Sequence, residues 1–249
     1  MRKEYLLIFD EIGMIASDSF RSRAYLQLLV KNNLIPNHII LISDKKKLEL
    51  KEFDTNNIEA FKIKPWDKLV FDPFISIFDT IKKYNLKHNR SITDDINSED
   101  FYNLLKIRKE KIFIYSGLPG VLLKEKLFTT NKKFLHSHGG FLPNFKGSTT
   151  NYYSLLEKNT ISASSLFLNN KIDSGDVLKR FTTKIEKNKN LIDNIFDPMI
   201  RAKVLIDTVK DINKRNKIKF LKINENNSKN YYIIHPILKH IAILQNEKK

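Results

Sequence analysis

Apolar and polar positions alternate along the chain with two periods, and their succession predicts strands separated by helices. An apolar run from Tyr5 to Phe9, closed by Asp10 and Glu11, predicts a buried strand over 4–9. Over 17–31 the apolar residues Phe20, Ala24, Leu26, Leu28, Leu29 and Val30 recur as on a helix face, with Ser17 or Asp18 as cap. Pro36 and Asn37 then turn the chain into a second apolar run over 38–42. Strand, helix and strand at this separation form a βαβ unit and predict a parallel sheet, because parallel neighbours need a crossover. The first run leads into Phe9-Asp10-Glu11-Ile12-Gly13 and not into a G-x-G-x-x-G turn, so a dinucleotide site of the usual kind is not expected.

Residues 44–66 are lysine-rich and show no clear period. A short helix is expected over 73–84 with Pro73 near its start, a polar loop over 89–98 and a helix over 99–109. Residues 111–115 read as a buried strand, ending in the loop Ser116-Gly117-Leu118-Pro119-Gly120. Such loops at strand carboxyl ends are where open α/β sheets bind ligands. A helix over 121–127 and a strand over 132–138 follow; the strand delivers His136 and His138. A helix is expected over 150–157. Strands over 163–168 and 177–185 read as an antiparallel pair joined by the loop that carries Asp173. Residues 191–213 are helical, with Pro198 marking a kink or a junction of two helices. A polar linker over 224–229 leads to an aromatic tail over 231–240, expected to complete the core or cover a cleft. The pattern gives an α/β domain over 1–185, followed over 186–249 by a C-terminal helix and docked tail.

Composition narrows this picture. The chain has no cysteine, which removes disulfides, Cys-ligated zinc and a thiol nucleophile and predicts a reducing, cytoplasmic setting. The run 5–9 is too short for a signal segment, and no stretch approaches the roughly 18 apolar residues of a membrane span, so no membrane partner is expected. A net charge of +16 raises nucleic acid as a partner. The lysines, however, are spread along the chain without the aromatic interleaving of a nucleic-acid stripe, so none is expected. An anionic small substrate, or a compositional bias without function, fits the charge.

Glycine is scarce, and its distribution marks a site. Six of the seven glycines lie between Gly117 and Gly175. They surround His136-Ser137-His138-Gly139-Gly140-Phe141-Leu142-Pro143-Asn144-Phe145-Lys146-Gly147 and the later Asp173-Ser174-Gly175-Asp176. Glycine serves where the backbone takes positive φ or where another group approaches closely. In a strand, His136 and His138 point to one face, and Asp173 from a separate loop can orient one ring. Three chemistries fit: a metal site, for which a third strong ligand is missing; buried histidines satisfied by carbonyls; and acid/base catalysis of group transfer, with a base, an oxyanion stabiliser and a charged orienter. No metal is expected.

The 136–147 run resembles the signature of formyltransferases that use N10-formyltetrahydrofolate, an Asn-x-His followed by a Leu-Pro-containing loop. Ile172-Asp173-Ser174-Gly175-Asp176-Val177-Leu178 resembles their later aspartate segment, and Ile114-Tyr115-Ser116-Gly117-Leu118-Pro119 an earlier strand and loop. The three motifs stand in the family's order and cover 111–180. The resemblance implies a Rossmann-like, parallel-sheet domain that transfers a formyl group from folate to an amine. It implies His138 and Asp173 as the catalytic pair. It also implies a folate pocket lined by Ser116, Gly117, Leu118 and Pro119 with Gly140, Phe141, Leu142, Pro143 and Gly147. His136 is the departure, standing where the family has asparagine. A ring N–H there can donate to the formyl oxygen as an amide does; loss of such a donor costs about 3 kcal/mol of transition-state stabilisation. A His136 poised in its protonated form predicts activity that falls as pH rises.

Among the family's branches, the segment after 180 is too helical for the OB-like domain of the tRNA-formylating enzymes, and there is no room for the ACT domain of the hydrolases. The purine-pathway enzymes keep Asn-x-His. The sugar N-formyltransferases remain, and the 147–156 segment and the 231–240 tail resemble those of the pseudaminic acid pathway. This implies a nucleotide-linked amino-deoxysugar as partner, a role in surface glycan synthesis, and a homodimer as the family expectation. Lys146, Tyr152 and Tyr153 are the candidate substrate contacts; Tyr152, Tyr153 and Trp66 are candidates to stack a base, with core packing the alternative for each. The alternative functions are an altered member that binds a nucleotide sugar or nucleic acid without catalysis, and a formyl-folate hydrolase.

Overall fold

The computed structural model describes residues 7–9, 11–42, 64–91, 93–118, 120–215, 219–224, 226 and 228–245. Strand β1 (Leu7–Phe9) is followed by β2 (Ile12–Ala16), helix α1 (Phe20–Lys31), β3 (Leu34–Pro36) and β4 (Ile39–Leu41). Then come α2 (Ile77–Lys83), β5 (His88–Arg90), α3 (Glu99–Lys106), β6 (Ile112–Ser116), α4 (Glu125–Phe128) and β7 (Lys133–His138). The second half holds β8 (Lys146–Gly147), α5 (Thr150–Lys158), β9 (Ile161–Phe167), β10 (Asp176–Thr183), α6 (Asp197–Arg215), β11 (Asn230–Tyr231) and α7 (Pro236–Leu244).

Seven strands form one sheet in the order β10-β9-β7-β6-β2-β4-β5. The five from β7 to β5 run parallel, while β9 is antiparallel to β7 and β10 to β9. The chain winds outward from β2 to β5, then returns to β6 on the other side of β2. The carboxyl ends of β2 and β6 therefore form the crevice where the strand order reverses, the usual ligand site of open α/β sheets. Residues of α1 and α6 cover one face of the sheet with the larger apolar cluster; α3 and α4 cover the other with Phe101, Leu105, Phe113, Leu127 and Phe134. Both faces are covered, as a parallel sheet requires.

Two expectations are corrected. The first strand of the sheet is Ile12–Ala16, and not 4–9: Leu7–Phe9 pairs only with Leu34–Pro36, outside the main sheet, and 4–6 lie outside the described residues. Asp10 and Glu11 stand before the central strand, and Glu11 meets Lys111 at 2.6 Å at the amino edge of the sheet. The polar stretch 89–98 begins inside an edge strand, since Ile39, Ile40 and Leu41 pair with His88, Asn89 and Arg90. An edge strand with solvent on its flank carries no apolar period to betray it. The helical stretch is made of two pieces joined beside Pro198, as expected: a π-turn over Ile192–Phe196 gives way to α6 at Asp197, and Pro198 is the second residue of α6, where its missing N–H costs little. Most of the lysine-rich 44–66 segment lies outside the described residues.

The antiparallel pair over β9 and β10 is as expected. In the tail, β11 lies parallel to β8, and the Tyr231 ring stacks on Phe145 at 5.3 Å. Helix α7 packs against α5. Buried residues of 192–209 share one cluster with α1 and the sheet, so α6 is a layer of the α/β body. No described helix is long and apolar enough to cross a membrane.

Trp66 is 2% exposed and meets Phe196 edge-on at 4.9 Å, so it is core and not a platform for a base. Trp66→Ala is expected to cost about 3–5 kcal/mol in urea unfolding; a loss under 1 kcal/mol would mean that the ring is not part of the core.

Candidate functional site

Strands β6 and β7 are neighbours in the sheet, so the loops after them open side by side. Strand β7 places His136 and His138 on one face. The Nδ1 of His136 lies 3.2 Å from the Tyr115 carbonyl oxygen on β6. A carbonyl only accepts, so this nitrogen carries the hydrogen. His138 is 4% exposed, and its Nε2 lies 2.7 Å from the Phe145 carbonyl oxygen, which fixes that nitrogen as a donor as well. Its Nδ1 faces Asp173 Oδ1 at 3.3 Å. The other oxygen of Asp173 accepts from the Gly147 N–H at 2.8 Å. Asp173 sits at φ 47°, a left-handed position that Asp tolerates better than most residues. The loop between β9 and β10 thus delivers its carboxylate to the end of β7.

Two glycines make the close approach possible. A Cβ on Gly140 would lie 2.6 Å from the Phe145 oxygen and 2.7 Å from His138 Nε2, in the bond that orients the ring. A Cβ on Gly139 would lie 2.5 Å from the Arg201 guanidinium. Arg201 uses that space to donate from one terminal nitrogen to the Ser137 carbonyl at 2.9 Å and from Nε to Asp197 Oδ2 at 2.6 Å. Asn151 donates to the other Asp197 oxygen at 2.7 Å, and Thr150 donates to the Gly139 carbonyl. Helices α5 and α6 therefore grip the end of β7 from behind.

Arg21, in the first turn of α1, reaches the loop after β6, donating to Ser116 Oγ at 3.1 Å and to the Gly117 carbonyl at 2.8 Å. Burial pushes the His136 pKa well below its ordinary value, and Arg21, Arg201 and His138 push it the same way, against the Tyr115 bond. For His138, burial lowers the pKa, Asp173 opposes it, Arg201 lowers it further, and the net direction is downward. His136 is therefore held toward its neutral form, whereas His138 faces an oxygen acceptor at each nitrogen, a geometry that favours a proton on both.

The structure brings His136, His138, Asp173, Gly140 and Gly147 together. Of the expected folate-lining residues, Ser116 is fully buried and hydrogen-bonded to Ser22 Oγ at 2.7 Å, so it ties β6 to α1 and does not face a ligand. Leu142 is also buried, packed with Leu166 and Val177, and it leads through a cis peptide into buried Pro143. Leu118 and Phe141 are partly exposed, with the Arg180 guanidinium 4.7 Å above the Phe141 ring. Pro119 lies outside the described residues.

The expected substrate contacts divide. Tyr152 is corrected to core: it is 2% exposed, and the Lys239 ammonium lies 4.9 Å above its ring. Lys146 is buried in β8 against β11. Tyr153 is half-buried, its ring 4.5 Å from Tyr231. Sequence reasoning missed Arg21, Asp197 and Arg201. The acid and base four apart on α6 were the available signal, one that Lys203 and Asp207 repeat on the same helix. Among the described residues no three His, Cys, Asp or Glu side chains are grouped to hold a metal ion.

No protein-family model matches the chain, and no curated protein matches it in sequence. Solved structures do match in fold. An N-formyltransferase from Helicobacter canadensis, in complex with folinic acid and dTDP-3-aminofucose, aligns at TM-score 0.58 and 15% identity over 89% of this chain and 70% of that one. A sugar N-formyltransferase from Shewanella sp. FDAARGOS_354 aligns at 0.56 and 13% identity, covering 96% of this chain and 88% of its own. Glycinamide ribonucleotide transformylase 1 from Symbiobacterium toebii aligns at 0.56 and 11%, covering 85% and 93%. The chain thus has the mostly parallel, Rossmann-like α/β fold seen in these formyltransferases.

Proposed function

We propose that this protein transfers a formyl group from N10-formyltetrahydrofolate to the amine of a nucleotide-linked amino-deoxysugar. The observation that carries the reading is the His138–Asp173 pair, 3.3 Å apart at the end of β7, in a fold shared with formyltransferases. The bound molecules of the Helicobacter canadensis neighbour support both substrate classes. The residues present fit a folate. Phe141 and Leu118 offer partly exposed apolar surface at the ends of adjacent strands, and Gly140 keeps side-chain bulk away from His138. The net charge of +16 suits the diphosphate of an activated sugar. The resemblance of 147–156 and 231–240 supports a sugar of the pseudaminic acid type.

In the reaction a bond forms between the amine nitrogen and the formyl carbon, and the bond from that carbon to N10 breaks. The amine loses one proton and N10 gains one. Asp173 stabilises a proton that His138 holds on Nδ1 throughout the reaction, and this imidazolium offsets negative charge that develops on the formyl oxygen. Phe145 and Gly147 hold the two members of the pair in register through their backbone groups.

The test is tetrahydrofolate release with UDP-, dTDP- and GDP-linked amino-deoxysugars. Release is expected to need an amino sugar and to fall about 10²-fold or more in His138→Ala and Asp173→Asn. Release without acceptor would make the protein a hydrolase, and sugar binding without release would make it a binder. Gly140→Ala, which pushes into the His138–Phe145 bond, is expected to lower kcat about 10²-fold while the circular dichroism of the folded protein is kept. Wild-type kcat in this variant would show that the ring's placement does not matter.

A further inference from the structure

The four ring nitrogens of the two histidines are unequal. His138 has both nitrogens engaged: Nε2–H donates to the Phe145 carbonyl, and Nδ1 is turned to Asp173. His136 has one engaged. Its Nδ1–H is spent on the Tyr115 carbonyl, 3.2 Å away, and its Nε2 has no hydrogen-bond partner among the described residues. His136 as a residue is partly exposed. With the hydrogen on Nδ1, Nε2 carries a lone pair. This reverses the expectation that His136 donates to the formyl oxygen as an asparagine would.

Resting on the formyl-transfer reading, we propose that His136 Nε2 is the general base that takes the proton from the attacking amine. The balance is complete within the reaction. As the amine nitrogen bonds to the formyl carbon, its proton passes to His136 Nε2. As the bond from that carbon to N10 breaks, His136 returns the proton to N10 and is neutral again.

The charged and titratable groups that face His136 are Arg21 on α1, Arg201 on α6, His138 on its own strand, and Tyr115 on β6, whose ring centroid lies 6.2 Å away. Burial first, and then the two guanidiniums, keep the ring uncharged in the resting state. A base must be neutral to act, so kcat/KM rises with pH through the pKa of His136, which lies below the ordinary 6.5, and is flat above it. A donor role would need the protonated ring and would give the opposite slope.

Two measurements on the full chain test this. The 15N shifts of the His136 ring at pH 7.5 are expected to show hydrogen on Nδ1 and none on Nε2. The pH profile of kcat/KM for tetrahydrofolate release is expected to show an acidic limb in the wild type. His136→Asn should lose that limb and fall at least about tenfold at pH 7.5. An active wild type with hydrogen on Nε2, or a His136→Asn variant with unchanged rate and limb, would overturn this proposal and leave formyl transfer standing. No release by the wild type with any acceptor would overturn both.

Discussion

The absence of side chains at 139 and 140 is the constraint on which the carboxyl edge of the sheet depends. Beyond the last residue of β7 the backbone must admit two approaches at once, the Arg201–Asp197 pair from behind and the His138–Phe145 bond from in front. Any β-carbon there would close one of them. The gain is rigidity at a place where sheets normally fray into loops. Arg201 is held by a carboxylate and a carbonyl, and Asp197 by Arg201 and Asn151, so the pair has few groups left to satisfy. Such a pair adds little net stability by itself, because desolvation offsets its attraction. Its effect is to fix the strand end that aims both imidazoles.

The same geometry links the C-terminal tail to the site. Tyr231 stacks on Phe145, whose carbonyl orients His138, and β11 pairs with β8, whose Gly147 N–H holds Asp173. The tail therefore touches both members of the pair through one backbone step each. It acts by restraining the loop over 139–147, which has only short strand pairing of its own.

What the chain disclosed depended on whether a feature is local. The glycine cluster, the two-residue spacing of the histidines and the aspartate in its own loop are short-range patterns, and they pointed to residues that the fold brings together. The central strand is displaced from the apolar run because Glu11 looks like an end in the sequence, and only its pairing with Lys111 across a hundred residues makes it a beginning. Edge strand β5 was hidden for the same reason, its order coming from a neighbour and not from its own hydropathy. Tyr152 was ambiguous because an amphipathic ring has the same letter in a core as on a binding face. Arg21 and Arg201 look like two of many basic residues until α1 and α6 carry them to one crevice.

Those two arginines also explain how a histidine can stand at a position where the resemblance calls for an amide. A positive crevice suits an anionic substrate and disfavours a second positive charge on the protein. Burial, and after it that field, keep His136 neutral, and the Tyr115 carbonyl decides which of its nitrogens holds the hydrogen. An asparagine side chain presents a donor and an acceptor at fixed places and exchanges no proton. Replacing it with a ring whose inner nitrogen is already spent leaves only an acceptor. The substitution therefore exchanges electrostatic support of an oxyanion for the capacity to move a proton. In the proposed reaction, charge on the formyl oxygen is then met from the His138–Asp173 pair, whose ring faces an oxygen acceptor at each nitrogen.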